Sequence, residues 1–197
     1  MNTSNRLQLI YQACSLLLVT SLITGLLYPL ALTGIAQWLF PWRSNGSIML
    51  YQNHPIGSQW IGQSFNEDRY FWGRPSMTTP FSYNPLTSVG SNAAPSNTEY
   101  FSIVQNRIER FQPYGTPIPV DLVSASASGL DPDISLEAAY YQVSRIAKVR
   151  GLSASTLLDI IHAHALGRWL GFIGEPRVNV LSLNLALDGV SYVTRAQ

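Results

Sequence analysis

Two pairs of ionisable residues stand close enough together to raise the question of shared chemistry. His162 and His164, in STLLDIIHAHALG, are two residues apart. On a helix that spacing turns the side chains roughly 200° from each other, and only a strand would aim both at one metal ion. The surrounding apolar pattern is helical, so the pair is not read as a metal site, and no metal is expected on this chain. Asp131 and Asp133 flank Pro132. Asp and Pro in that arrangement build turns and helix caps, and they are read in that role and not as an acid and base pair. The sequence has no GxxxxGK[ST] loop for phosphates, no GxGxxG, no GxSxG nucleophile elbow and no HExxH. The expectation is a protein that is not an enzyme by itself.

Composition narrows the class. Twelve basic and eleven acidic residues among 197 leave a net charge of +1, and charged residues make up 12% of the chain, about half the usual share. Arg and Lys form no basic patch, so nucleic acid is not an expected partner. One cysteine, Cys14, excludes an intramolecular disulfide. The deficit of charge is local, because no charged residue stands between Arg6 and Arg43. That run exceeds the ~20 residues that cross a bilayer as a helix. From Tyr11 to Trp38 such a helix would be about 40 Å long, with aromatic residues at both ends as in interfacial belts. The chain therefore divides into a tail (1–9), a transmembrane helix (10–32), a membrane-exit segment (33–43) and an extramembrane domain (44–197). The run is too long for a cleaved signal peptide, and Cys14 precedes it, which is the wrong side for a lipoprotein. Arg6 and the terminal amine favour a cytoplasmic N-terminus, placing the domain outside the cytoplasm. Within the span, Ser21 and Gly25 form a small-xxx-small pair that would admit a partner helix, and Pro29 interrupts the hydrogen-bond ladder.

The elements of the domain follow from periodicity. SNTEYFSIVQNRIERF carries a capping box, Ser96 to Glu99, and predicts a helix over Thr98–Phe111. DPDISLEAAYYQVSRIAKVRG predicts a second, capped by Ser135 or Asp133, with Leu136, Ala139, Tyr140, Val143 and Ala147 on one face and basic residues before Gly151. A third is expected from Ser155 to Trp169. RVNVLSLNLALD alternates Leu181, Leu183, Leu185 and Leu187 with polar residues, which predicts a strand. Shorter strands fit SIMLYQ and residues 60–62. The fold class expected is a single N-terminal transmembrane α-helix followed by an α+β domain, about three helices packed on a small mixed sheet. The stretch VGSNAAPSN (89–97) has linker composition but lies inside this domain. It is read as an ordered loop in which Ser96 caps the following helix, Pro95 restricts the approach, and Asn92 and Asn97 bridge amides. Ser91, Asn92, Pro95, Ser96 and Asn97 form a candidate docking loop.

Six stretches in order, IGQSF (61–65), YFWGRPS (70–76), GSNAAPSN (90–97), DLVSASASGLDPDIS (121–135), YQVSRIAKVRGL (141–152) and LGFIGEPRVNVLSLNLALD (170–188), resemble the successive motifs of the KdpC family, the C subunit of the bacterial potassium-transporting Kdp ATPase. Val89, Ala93, Ala94, Thr98 and the Ala165-Leu166 pair depart from the family's pattern. The resemblance implies an accessory subunit in the bacterial inner membrane. Its partners would be a channel-like potassium-binding subunit, a P-type ATPase subunit and a small additional subunit. It also implies a catalytic chaperone that raises the pump's affinity for ATP, with Gln142 matching the family's glutamine and ATP met only through the complex. Read from the residues alone, Gln142 falls mid-helix on the side opposite cytoplasmic nucleotide, whereas anion sites favour helix N-termini. A membrane-tethered extracytoplasmic binding module with no pump partner is the other reading that the residues allow.

Overall fold

The computed structural model describes residues 3–94, 96–115, 117–190 and 193–194. The chain forms two units, one ending at Gly46 and one beginning at Ser47.

The first unit is a rod. α1 (Thr3–Leu22), a π turn (Ile23–Leu27) and α2 (Tyr28–Leu39) run on without a break. From Asn5 to Leu39 the helix is 35 residues long, apolar and bare on every side. At 1.5 Å per residue it measures about 52 Å, longer than the ~30 Å hydrocarbon core of a bilayer. Residues 33–39, expected as an exit segment, continue the helix. The π turn ends at Leu27, one residue short of the Tyr28-Pro29 step. Proline has no N–H to offer the carbonyl four residues back, and the wider turn absorbs that missing rung. Thr20, Thr24 and Thr33 donate their hydroxyls to the carbonyls of Leu16, Thr20 and Pro29 at 2.9, 2.8 and 2.8 Å. Each polar side chain is thereby satisfied within its own helix, as an apolar solvent requires. The helix stops at Phe40, which precedes Pro41 and takes φ −135°, since proline excludes helical geometry from the residue before it. A single turn, α3 (Pro41–Ser44), follows.

The second unit is the helix-and-small-sheet domain expected, with its strands shared between two antiparallel sheets. β1 (Ile48–Tyr51) and β2 (His54–Ser58) form a hairpin whose two loop residues, Gln52 and Asn53, both have positive φ, the geometry that matches strand twist. β6 (Val193–Thr194) pairs with the other edge of β1. Around residues 60–62 only an isolated bridge forms, Ile61 to Ser58. The second sheet comprises β3 (Asp133–Ser135), β5 (Arg177–Asn179) and β4 (Ala165–Leu166), with β5 central.

α4 spans Thr98–Phe111 as the pattern requires, but its cap is Asn97 and not Ser96: the Asn97 carboxamide accepts from the Tyr100 N–H at 2.9 Å, and Ser96 lies exposed in the preceding turn. Asn97→Ala should therefore cost about 1 kcal/mol, and Ser96→Ala should fall within error of the parent, read as urea midpoints of the full-length protein in micelles. α5 is one turn, Val120–Val123. α6 (Leu136–Arg150) is capped by Ser135, whose hydroxyl accepts from Ala138 N, and ends at Gly151 in the left-handed conformation, φ 66°. α7 (Ala154–His164) is capped by Ser153 and ends well short of Trp169, because Ala165 turns extended to enter β4.

The largest departure is α8 (Val180–Leu187), expected as a strand. Asn179 starts it, accepting from the Ser182 N–H at 3.0 Å. Leu181, Ser182, Leu183 and Asn184 are all buried. A helix enclosed on all sides has no polar face, so its periodicity cannot be told from a strand's over eight residues. Helices α4, α6, α7 and α8 enclose the core, which includes Phe71, Trp72, Phe111, Ile146, Leu157, Ile161 and Leu183. Between Ser58 and Thr98 the described residues hold no helix and no further strand. That long segment is fixed by side chains: Ser76 donates to Gly129 O at 2.7 Å, Thr78 to Phe81 O at 2.8 Å and Asn84 to Thr79 O at 2.7 Å.

Candidate functional site

The polar heart of the domain is a clamp on Phe71 and Trp72. In an extended chain, successive residues turn their backbone groups to opposite sides, and here each side meets a carboxamide. Asn184 of α8 accepts from Phe71 N at 2.8 Å and donates to Phe71 O at 3.0 Å. Gln142 of α6 accepts from Trp72 N at 2.8 Å and donates to Trp72 O at 3.2 Å. The two side chains imitate the neighbouring strands of a sheet. Gln142 is 1% exposed. Its remaining positions are also filled, by Ala138 O at 3.2 Å and by Arg145 Nη2, which donates at 2.7 Å. An amide has two donor hydrogens and two acceptor sites, and all four are occupied by this chain. A nucleotide contact by Gln142 would require those bonds to open.

Arg145 completes the clamp. It donates to the carbonyls of Asp68 and Tyr70, and its guanidinium lies 3.8 Å from the Trp72 ring centroid. Burial pulls its pKa down to about 10, so it stays charged at neutral pH, held by carbonyl dipoles and a π face. One turn and a half further on, Arg150 donates to Arg69 O and Leu187 O and pairs with Asp188 at 2.7 Å. The basic residues of α6 thus hold segment 68–70 as well as complementing the helix dipole.

Beside Trp72 lies a cavity of about 90 Å³ lined by Ser64, Arg74, Ser82, Tyr83, Arg107 and Arg110 among others. Arg74 pairs with Asp131 at 3.0 Å. Arg110 stands 3.8 Å from the Trp72 centroid. Burial lowers the pKa of Arg107 and pushes that of Tyr83 up to about 12.

The acidic and histidine pairs take structural places. Asp131 accepts from Asp133 N at 3.1 Å in the turn before β3. Asp133 pairs with Arg177 at 2.8 Å and accepts from Asn179 at 3.2 Å, while burial raises its pKa. His162 and His164 both sit on α7; His162 packs against Tyr140 and the His164 ring nitrogen meets Ile160 O at 2.9 Å.

The stretch from Val89 is anchored at both ends. Val89 N donates to Ser128 O at 3.0 Å, Gly90 lies so near Ala127 that a Cβ there would come within 2.8 Å of its carbonyl oxygen, and Asn97 N donates to Ala94 O at 2.9 Å. Ser91 is half-buried, Asn92 takes φ 48°, and Asn92, Ser96 and Asn97 are exposed. Pro95 lies outside the described residues. Ser21 lies on α1 and Gly25 in the π turn, both exposed, and a side chain added at Gly25 would meet nothing of this chain within 4 Å. Within the domain, clamp and loop are separate places; among the described residues neither contributes a side chain to the other.

One surface was not foreseen. Between β4 and β5, Trp169 and Ile173 exchange backbone hydrogen bonds at 2.8 and 3.0 Å, closing a tight turn with Leu170 and Gly171 at positive φ. Trp169, Leu170 and Phe172 are 68%, 66% and 73% exposed, and Ile173 is exposed beside them. The signal was available: glycines at 167, 171 and 174 break any helix through four large apolar residues.

The family model described as KdpC, K+-transporting ATPase, c chain, matches residues 10–189. A potassium-transporting ATPase KdpC subunit of Methylibium petroleiphilum is 54% identical over 178 residues, covering 88% of this chain and 93% of that protein. The KdpC subunit of Methylococcus capsulatus is 48% identical over 90% of this chain and 96% of its own. That of Geobacter sulfurreducens is 50% identical over 89% and 95%.

Proposed function

This chain belongs to the KdpC family, the c chain of K+-transporting ATPases, and from that premise we propose that it is the single-span accessory subunit of an ATP-driven, high-affinity potassium-uptake complex. Its partners are a channel-like potassium-binding subunit, a P-type ATPase subunit that hydrolyses ATP and a small additional subunit. It lies in the bacterial inner membrane with its N-terminus in the cytoplasm and its domain outside.

The observation that carries this reading is the apolar turn Trp169–Ile173. A rigid, backbone-locked knob of large apolar side chains is costly to leave in water and marks a protein contact. The chemistry-bearing side chains point the other way, since Gln142, Asn184, Arg145 and Arg150 are spent on the domain's own backbone. The subunit therefore stabilises assembly, and it raises the ATP affinity of its partner as a catalytic chaperone by shaping the complex. Gln142 serves that role by positioning Trp72. The exposed residues of the 91–97 loop supply a second contact, and the Ser21 and Gly25 face packs against a partner helix.

Detergent extraction tests the assignment: the chain should co-purify with large polytopic subunits, and its emergence alone would overturn it. Gly25→Leu places a bulky side chain where helix backbones would meet. It should cut co-purification severalfold while leaving membrane insertion intact, and unchanged assembly would reject that face. Orientation is read by labelling a cysteine placed in the domain, in a Cys14→Ala background, from outside intact cells.

A further inference from the structure

The cavity beside Trp72 gathers three arginines, and among the described residues one carboxylate, that of Asp131, pairs with them. Arg107 and Arg110 are three apart on α4 and so share a face, and Arg74 reaches the same space from the 59–97 segment. Among the described residues, Arg74 alone of the three guanidinium groups has a carboxylate, Asp131. Arg107 is half-buried, and among the described residues its donors find a single acceptor, Leu122 O at 3.4 Å. Arg110 donates to a neutral carbonyl, Asn66 O at 3.2 Å. The Nε of Arg74 is buried and donates to no group among the described residues. Withdrawing cationic donors from water without acceptors is unfavourable, and like charges on one helix face add to it. Hydroxyls of Ser64, Ser76, Ser82 and Tyr83 also border the space, beside the rings of Phe65, Trp72 and Phe111.

We propose that this cavity binds a small tetrahedral oxyanion of the phosphate class, with Arg107 as the principal ligand and Arg74 and Arg110 as flanking donors. Three observations agree on that ligand. The guanidinium fork matches phosphate oxygens two at a time. The volume, about 90 Å³, is well above what one water needs, and leaves room for an oxyanion head. The Ser64 and Ser82 hydroxyls add donors without adding opposing charge, while that of Tyr83 donates to Arg74 O. The proposal rests on these side chains and is independent of the pump assignment.

The test uses the full-length protein in an uncharged detergent. Inorganic phosphate is titrated by calorimetry and by thermal melting against chloride at matched ionic strength. Saturable, phosphate-specific binding with a raised melting temperature is expected. Arg107→Gln should weaken it at least tenfold, and Arg107→Lys, which keeps the charge but not the fork, should weaken it less. Arg168→Gln, an exposed arginine elsewhere on the domain, should bind as the parent does. Should Arg107→Gln fail to fold, Arg110→Gln on the exposed rim takes its place, with a severalfold loss expected. A parallel titration with dihexanoyl phosphatidate separates sources: affinity well above that for inorganic phosphate identifies a lipid headgroup, and equal affinity the free ion. No difference between phosphate and chloride, or equal binding by the parent and the Arg107 and Arg110 variants, would overturn the site.

Discussion

Replacing Gln142 with leucine should lower the unfolding free energy of the domain by about 4 kcal/mol, and Asn184→Leu by a similar amount. Each substitution keeps the side chain's bulk and strips two partners from the buried backbone, the N–H and C=O of Trp72 in one case and of Phe71 in the other. An orphaned buried group costs about 1–3 kcal/mol, and Gln142→Leu also removes an acceptor from Arg145. The two sites grip adjacent residues of one extended segment, so their effects should not add: once one side is released, the segment has already lost its fixed geometry, and the double variant should fall short of the sum by about 1 kcal/mol or more. Urea unfolding of the full-length chain in micelles, followed by near-ultraviolet circular dichroism, gives all three values. A cost under about 1 kcal/mol for either single variant would mean that the clamp does not hold the segment. The pair also separates two accounts of the pump's ATP affinity. If the subunit acts through its shape, Asn184→Leu and Gln142→Leu shift that affinity alike for equal losses of stability. If the amide of Gln142 meets the nucleotide, only Gln142→Leu shifts it.

The clamp also marks where reading the sequence stops. α4 and the start of α6 were legible because their signals are local: a capping side chain, a repeating apolar face, a glycine at the end of α6. The partners of Gln142 and Asn184 are 70 and 113 residues away, and no local pattern distinguishes a carboxamide facing solvent from one facing a distant backbone. Asn184 misled twice, since its polarity also completed the alternation that made α8 look like a strand. Asn179 begins that helix in the manner of any capping asparagine, yet the signal was overridden by the leucine pattern. The cap of α4 was misplaced by one residue because Ser96 and Asn97 are both good caps, and the backbone turn from Ala94 to Asn97 decides between them. The helix expected from Ser155 to Trp169 ends at His164, and the glycines at 167, 171 and 174 are the local signal for that earlier stop.

Truncating the apolar knob should separate assembly from folding. In a double variant, Trp169→Ser with Phe172→Ser, the turn itself survives, because the hydrogen bonds that close it run between the backbones of Trp169 and Ile173. Both side chains project from the domain, so their loss opens no cavity, and the melting temperature should stay within a degree or two of the parent. Binding responds differently. Each aromatic side chain carries some 150–250 Å² of surface, and truncating an aromatic anchor at the centre of an interface typically costs about 2 kcal/mol or more. Two such losses, about 4 kcal/mol, weaken association by roughly a thousandfold, enough to remove the pump subunits from a purification that the parent survives. The control is Arg168→Gln: its ion pair with Glu175 is 3.3 Å long and open to solvent, and a pair of that kind contributes little, so assembly should be unchanged. Stable variants that still bring down the whole complex would remove the knob from the interface. Flotation with liposomes then decides its place: a knob that inserts in lipid would make the parent float more firmly than the double variant, with subunit contacts untouched. A knob seated on a partner subunit leaves flotation equal, because the bare helix from Asn5 to Leu39 anchors both proteins, and only the co-purifying subunits disappear.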